Sequence, residues 1–157
     1  LKRIKIASGC IRDRALLKAA RDTNLPVILS TGMATISDIN AAYNILPDAT
    51  FLHCTSAYPC PVEDVNLLAM LELPDKRGYS DHTSGITIAI AAATLGATVI
   101  EKHLTLDRNA LGPDHKASVE PREFSAMVKA IREVEVALGD GKKRIMPSEE
   151  ALRQQWT

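Results

Sequence analysis

Gly78-Tyr79-Ser80-Asp81-His82-Thr83 and, further on, Ile100-Glu101-Lys102-His103-Leu104 decide how this chain is read. Each is a short β-type run that closes in polar residues. Between them Gly85-Ile86-Thr87-Ile88-Ala89-Ile90-Ala91-Ala92-Ala93 is nearly all apolar, which predicts a helix buried on most sides, and Gly96 supplies its stop. Strand, buried helix, strand is a βαβ unit, whose crossover makes the two strands parallel. Working outward, the same alternation recurs. The runs Ile4 to Ser8, Pro26 to Thr31, Thr50 to Ser56, Arg77 to His82 and Thr98 to Leu104 predict strands. Helical patterns follow over Ile11 to Arg21, Thr35 to Ile45, Pro61 to Leu71, Ser84 to Leu95 and Glu120 to Leu138, with Thr35 as N-cap and Asp38 three residues on.

A strand–helix repeat of roughly 20 to 25 residues fits either an open doubly wound sheet or a barrel. No G-x-G-x-x-G or Walker pattern follows any strand, which weakens the nucleotide-binding open sheet. Polar groups instead gather where strands end: Ser8, Ser30-Thr31, Cys54-Thr55-Ser56, Ser80-Asp81-His82 and Glu101-Lys102-His103. That pattern predicts an α/β fold of the (β/α)8 TIM-barrel type, whose catalytic groups sit at the strands' carboxyl ends. A closed barrel takes about 250 residues, so five βα units predict a partial barrel, residues 1–139, with about three units expected on the N-terminal side. Residues 140–157 read as a linker or tail.

The 157 residues are 46% hydrophobic and 24% charged, with 19 Lys+Arg balancing 19 Asp+Glu. Such balance gives no general attraction to nucleic acid or anionic lipid, and no apolar run reaches the roughly 18 residues of a membrane span. Cys10, Cys54 and Cys60 are too few and too irregularly spaced for a disulfide framework or zinc ribbon. With no secretory pattern, a reduced cytoplasmic protein is expected.

Strand side chains alternate faces, so an inward His82 brings Ser80 with it and an inward His103 brings Glu101, while Asp81 and Lys102 turn toward the helices. Neighbouring strands lie about 4.8 Å apart, and two imidazoles at one level can share a divalent ion at about 2.0 to 2.2 Å from each nitrogen. A single histidine at a strand end is more often structural; two at matched positions on adjacent strands favour the metal. Ser8, Ser30, Thr31, Ser56 and Ser80 can ring a tetrahedral anion, with Lys5 supplying charge. Asp114, in the polar loop Leu111 to Ser118, suits sugar hydroxyls, and His115 is left unassigned. His53, alternating with Cys54 and Ser56, faces the helix layer as a structural residue, and nothing in the sequence supplies Cys54 with a partner base.

Ser30-Thr31-Gly32-Met33, His53-Cys54-Thr55-Ser56-Ala57-Tyr58-Pro59, Gly78 to Thr83, Glu101-Lys102-His103-Leu104-Thr105-Leu106-Asp107 and Gly112 to Ser118 together closely resemble the sialic acid synthase family, from about Ile4 to Ser148. The resemblance implies strands four to eight of that family's barrel and condensation of phosphoenolpyruvate with an N-acyl amino sugar, typically N-acetylmannosamine, to give a nine-carbon 2-keto sugar acid and phosphate. It implies a divalent metal, manganese first with magnesium or cobalt as alternatives, on His82 and His103. It further implies phosphoenolpyruvate contacts at Lys5, Ser8, Ser30, Ser56 and Ser80, sugar contacts at Tyr58, Glu101 and Asp114, and a homodimer. Glu101 would position water or hold the sugar. Cys10 departs from the family pattern, in which an acidic residue is common after Ser8-Gly9. The alternatives are a metal-dependent barrel hydrolase and an inactive fragment of such a synthase.

Overall fold

A computed structural model describes residues 1–156. Its strands are β1 (Ile4–Ile6), β2 (Val27–Ser30), β3 (Thr50–Cys54), β4 (Arg77–Asp81) and β5 (Ile100–Lys102); its helices are α1 (Arg14–Asp22), α2 (Ile36–Tyr43), α3 (Thr87–Thr94), α4 (Pro121–Leu138) and α5 (Glu150–Trp156). The five strands form one sheet in the order β1-β2-β3-β4-β5, every pair parallel. A doubly wound sheet would reverse its order at a switch point; this one advances in chain order and is half of a barrel.

Register places Cys54 opposite Ser80 and Ser80 opposite Glu101, so one row of side chains crosses the inner face at a common level. On the outer face Val27, Leu29, Phe51 and Tyr79 are buried in one core with Leu17, Ala20, Ile39 and Ala42 of the first two helices. Ala89 and Ala93 of α3 pack with Met127 and Ile131 of α4.

Local chemistry sets the helix starts. Asp13 caps α1 by accepting from the Ala15 and Leu16 amides, and Thr35 and Asp38 form the expected capping box on α2. Pro121 opens α4, where its missing N–H is no loss, and Gly139 follows the helix at φ 58°, a conformation that favours glycine.

Two expectations are corrected. Pro61 to Leu71 is not an α-helix but two 3-10 turns, Val62–Asp64 and Leu67–Glu72, because Asn66 between them takes a left-handed φ of 43° and interrupts the ladder. α3 buries only Ala89, Ala92 and Ala93, and its isoleucines are half-buried, because the sheet and α4 cover only part of its circumference. Within the segment read as a linker or tail, residues 140–156 carry a 3-10 turn and α5 with every described side chain exposed, and residue 157 lies outside the described residues.

Asp81 and Lys102 do turn outward from the inner face, and they meet. Lys102 Nζ donates to Asp81 Oδ2 at 2.9 Å with both side chains fully buried. The Thr83 amide and hydroxyl donate to Asp81 Oδ1 at 2.9 and 2.7 Å, and Lys102 also donates to the Thr83 carbonyl. This pair pins β4 to β5 just beneath the strand ends.

Candidate active site

At the carboxyl ends of the strands lies a cavity of about 480 Å³. Lys5 and Ser8 line it from β1 and its turn, Ser30 and Met33 from β2 and its loop, Cys54, Ser56 and Tyr58 from β3, Ser80 and His82 from β4, and Glu101 and His103 from β5. The period-two alternation of each strand is what delivers these groups to one side. A second hollow, of about 390 Å³, lies at the opposite strand ends around Pro26 and Ala49 and contains none of these residues.

The imidazoles of His82 and His103 face each other with ring centroids 5.5 Å apart. Tyr58 lies over His82 at 4.1 Å between centroids and meets His103 edge-on at 5.6 Å. His82 Nδ1 is 2.8 Å from the Thr55 carbonyl. A carbonyl only accepts, so Nδ1 carries a proton, and in the neutral ring this leaves the lone pair on Nε2, the tautomer that a metal-ligating imidazole needs. The pair therefore fits a divalent ion. Among the described residues no cluster of three or more His, Cys, Asp or Glu side chains surrounds such a point, so an ion here would take two protein nitrogens and fill its other positions with water or substrate. The three-ligand set of a barrel hydrolase is missing among those residues.

Glu101 is held from two sides. Ser80 donates to its Oε1 at 2.7 Å, and Lys5 Nζ, which also donates to the Ile6 carbonyl at 3.2 Å, stands 3.2 Å from its Oε2. A salt bridge thus spans the mouth from β1 to β5, and sequence reasoning missed it because no local pattern reports how far two side chains reach across a sheet.

Four serines reach the cavity: Ser8, Ser30, Ser56 and Ser80 all line it. The Ser30 hydroxyl is buried and has no hydrogen-bond partner. Thr31 turns away and donates to the Leu52 carbonyl at 2.9 Å. The Gly32 amide donates to Ser8 Oγ at 3.0 Å, and a Cβ at Gly32 would overlap Ser56 Oγ while coming within 2.9 Å of Ser8 Oγ and 3.2 Å of Cys54 Sγ. Glycine is required there by space, so that two hydroxyls and a thiol can close around the backbone.

Cys54 Sγ lies 3.7 Å from Ser8 Oγ and 3.9 Å from His82 Nδ1. Burial pushes its thiol up, but the His82 and Ser8 contacts outweigh burial and hold it below the ordinary range. His82 is the mirror case: burial pushes it down, yet Cys54, the Thr55 carbonyl and the Glu101 charge together raise it. The nearness of Cys54 to His82 is not legible in the sequence because the two belong to different strands, and with Nδ1 carrying its proton His82 faces the thiol as a donor, not as a base.

His53 Nε2 bonds the Val65 carbonyl at 2.7 Å and stacks on Tyr79, a structural role on the outer face. Asp114 is not brought into the cavity lining. It is exposed, in a loop tied down by Ser118 Oγ on the Asp114 carbonyl at 2.7 Å and by His115 Nδ1 on Thr105 Oγ1 at 2.7 Å. Its charge still reaches Tyr58, whose hydroxyl is pushed up by burial first and then by Cys54, Asp114 and Glu101.

The five parallel strands form half of an α/β barrel, and the polar groups at their carboxyl ends gather around one cavity. The chain belongs to the NeuB family, whose match spans residues 1–143. It is 48% identical to N,N'-diacetyllegionaminic acid synthase of Campylobacter jejuni over 96% of this chain and 48% of that protein, and 40% identical to human N-acetylneuraminate-9-phosphate synthase over 96% and 44%. It thus spans about half the length of the curated relatives it matches. In three dimensions it resembles the N-acetylneuraminic acid synthetase of Leptospira borgpetersenii, crystallised with citrate, at a TM-score of 0.89 and 39% identity, over 99% of this chain and 57% of that one. No described helix is long and apolar enough to cross a membrane.

Proposed function

We propose that these strands carry the metal-side half of a synthase that joins phosphoenolpyruvate to the open-chain aldehyde of N-acetylmannosamine or a related N-acyl amino sugar. The product is a nine-carbon 2-keto sugar acid, with release of phosphate. The observation that carries the reading is the Ser30 hydroxyl: buried, unpartnered, and set in a cavity with Lys5, Ser8, Ser56 and Ser80. Leaving a buried hydroxyl unpaired costs about 1 to 3 kcal/mol, and a phosphate or carboxylate oxygen supplies the missing partner.

In the proposed reaction C3 of phosphoenolpyruvate forms a bond to the aldehyde carbon, whose π electrons move onto its oxygen. Water adds at C2, and the C–O bond to phosphate then breaks. Lys5 and the serines hold the phosphate and carboxylate groups, fixing C3 against the aldehyde. His82 and His103 would hold the divalent ion, manganese by expectation, which when bound supplies Lewis-acid polarisation of the aldehyde oxygen. Glu101, oriented by Ser80 and charge-balanced by Lys5, is placed to position the water or accept its proton. Tyr58 walls the sugar side beside the two imidazoles. The same reading makes the working unit a cytoplasmic homodimer.

The test is binding and turnover on the 157-residue chain. With manganese present, ³¹P resonances are expected to report binding of phosphoenolpyruvate to the chain, weakened at least tenfold in Lys5→Met and Ser30→Ala. Phosphate release with N-acetylmannosamine is expected to be far below that of full-length synthases, because about three of the eight strands of the barrel wall are not supplied by these five. A chain that binds no phosphoenolpyruvate would contradict the reading.

A further inference from the structure

The loop that leaves β2 makes a tight turn over Thr31-Gly32-Met33-Ala34, closed by the Ala34 amide on the Thr31 carbonyl at 3.1 Å. Its third residue, Met33, has φ 63°, whereas Gly32 before it is not left-handed. This is the pattern of a type II turn, whose third position ordinarily holds glycine because only glycine takes positive φ without strain. Here the glycine sits one residue early. Contacts explain why: Gly32 is pressed against Ser8, Ser56 and Cys54 where no Cβ fits, so the strained position falls to a large unbranched side chain.

Nothing in the packing of the chain rewards that strain. Met33 is 72% exposed, in contrast to the buried Thr31 and Gly32 beside it, yet it lines the cavity alongside the imidazoles and Tyr58. A non-glycine residue held left-handed at the rim of a site points to a use for its side chain in the liganded state. A thioether side chain offers an adaptable apolar surface, and the cavity around it is lined mostly by polar groups, with the Tyr58 ring, Ala7 and the Cys54 thiol as its other less polar surfaces.

We propose that Met33 is a specificity-determining residue that covers the acyl group of the acceptor sugar. The inference rests on the reading of this cavity as an N-acyl amino sugar site and adds to it the residue that recognises the acyl methyl. An N-acyl sugar is polar everywhere except at that group, so one apolar contact distinguishes it from the free amine. The turn fixes the contact: Gly32 is locked by its neighbours, and Met33 follows it over the mouth.

The test is saturation-transfer difference NMR of the 157-residue chain with N-acetylmannosamine, with mannosamine as control. In the wild-type chain the acetyl methyl is expected to receive the strongest saturation of any sugar proton. In Met33→Gly the ratio of methyl to ring saturation is expected to fall at least twofold, while the thermal midpoint stays level or rises, because glycine takes this φ freely. Met33→Asn, which tolerates left-handed φ but is polar, is expected to give the same drop. A methyl-to-ring ratio unchanged in both variants would overturn the assignment of Met33 and leave the sugar site standing. A lowered midpoint in both variants would likewise overturn it, by showing that Met33 serves the fold or an interface between copies. No saturation of either sugar by the wild-type chain would overturn the acceptor site itself, and this inference with it.

Discussion

Ser30 carries a hydroxyl that folding buries without a partner, and this makes its removal informative. Ser30→Ala is expected to raise stability by about 1 kcal/mol, the desolvation of an unmade hydrogen bond, while lowering affinity for phosphoenolpyruvate. Urea denaturation beside a ³¹P titration reads both; a variant less stable than wild type would show that the hydroxyl has a partner in solution. Gly32→Ala is expected to destabilise by about 1 to 3 kcal/mol, since its Cβ must displace Ser56 and Ser8. At this scale the sequence was legible where one strand's own alternation decides, as for Ser80 with His82 and Glu101 with His103. It was silent where partners come from different strands. The Lys5–Glu101 bridge, the nearness of Cys54 to His82 and the strained Met33 all depend on distances across the mouth, which no one-dimensional pattern encodes.

Elements carry their own tests. The Thr35 amide and hydroxyl donate to the Asp38 carboxylate at 2.9 and 2.7 Å, which holds that carboxyl below the ordinary aspartate range. Because its pKa is depressed on folding, its contribution is complete above the unfolded value and is lost as pH falls through the folded one. Helicity of α2 is therefore expected to decline on acidification below about pH 4 in the wild type and less steeply in Asp38→Asn, as circular dichroism would read. Thr35→Ala is expected to cost about 1 kcal/mol at neutral pH. The β4–β5 seam is more sensitive. Lys102→Met leaves the Asp81 carboxylate buried and unpaired and is expected to cost about 3 to 5 kcal/mol by urea denaturation, with Asp81→Leu/Lys102→Met recovering part of it. The α2 box was readable in advance because capping is a contact over three residues. The break at Asn66 was not, since an apolar helical period ran straight across it and only backbone geometry reveals the left-handed residue.

For the whole molecule, the barrel class was recognisable from a repeat of strands ending in polar residues with no nucleotide-binding glycine pattern after them, the strict chain order of the five strands emerges only in the structure, and the Asp114 loop escaped because its course depends on tethers through Thr105 and Ser118. β1 and β5 each have one strand neighbour; β1 presents unpaired backbone along its edge, and beside β5 the edge is paired only past the strand's end, where Val119 bonds His103 and Thr105. The 157-residue chain in isolation is expected to associate, and sedimentation showing only a 17.0 kDa species would contradict that. The central claim is that the strand-end cavity couples a two-histidine metal site to an oxyanion site. Calorimetric titration of the chain with manganese, with and without phosphoenolpyruvate, tests it most directly. The account expects one ion per chain, lost in both His82→Ala and His103→Ala but retained in Lys5→Met, where only the phosphoenolpyruvate response disappears. Manganese binding that survives both histidine substitutions, or a Lys5→Met variant that still binds phosphoenolpyruvate like wild type, would contradict it.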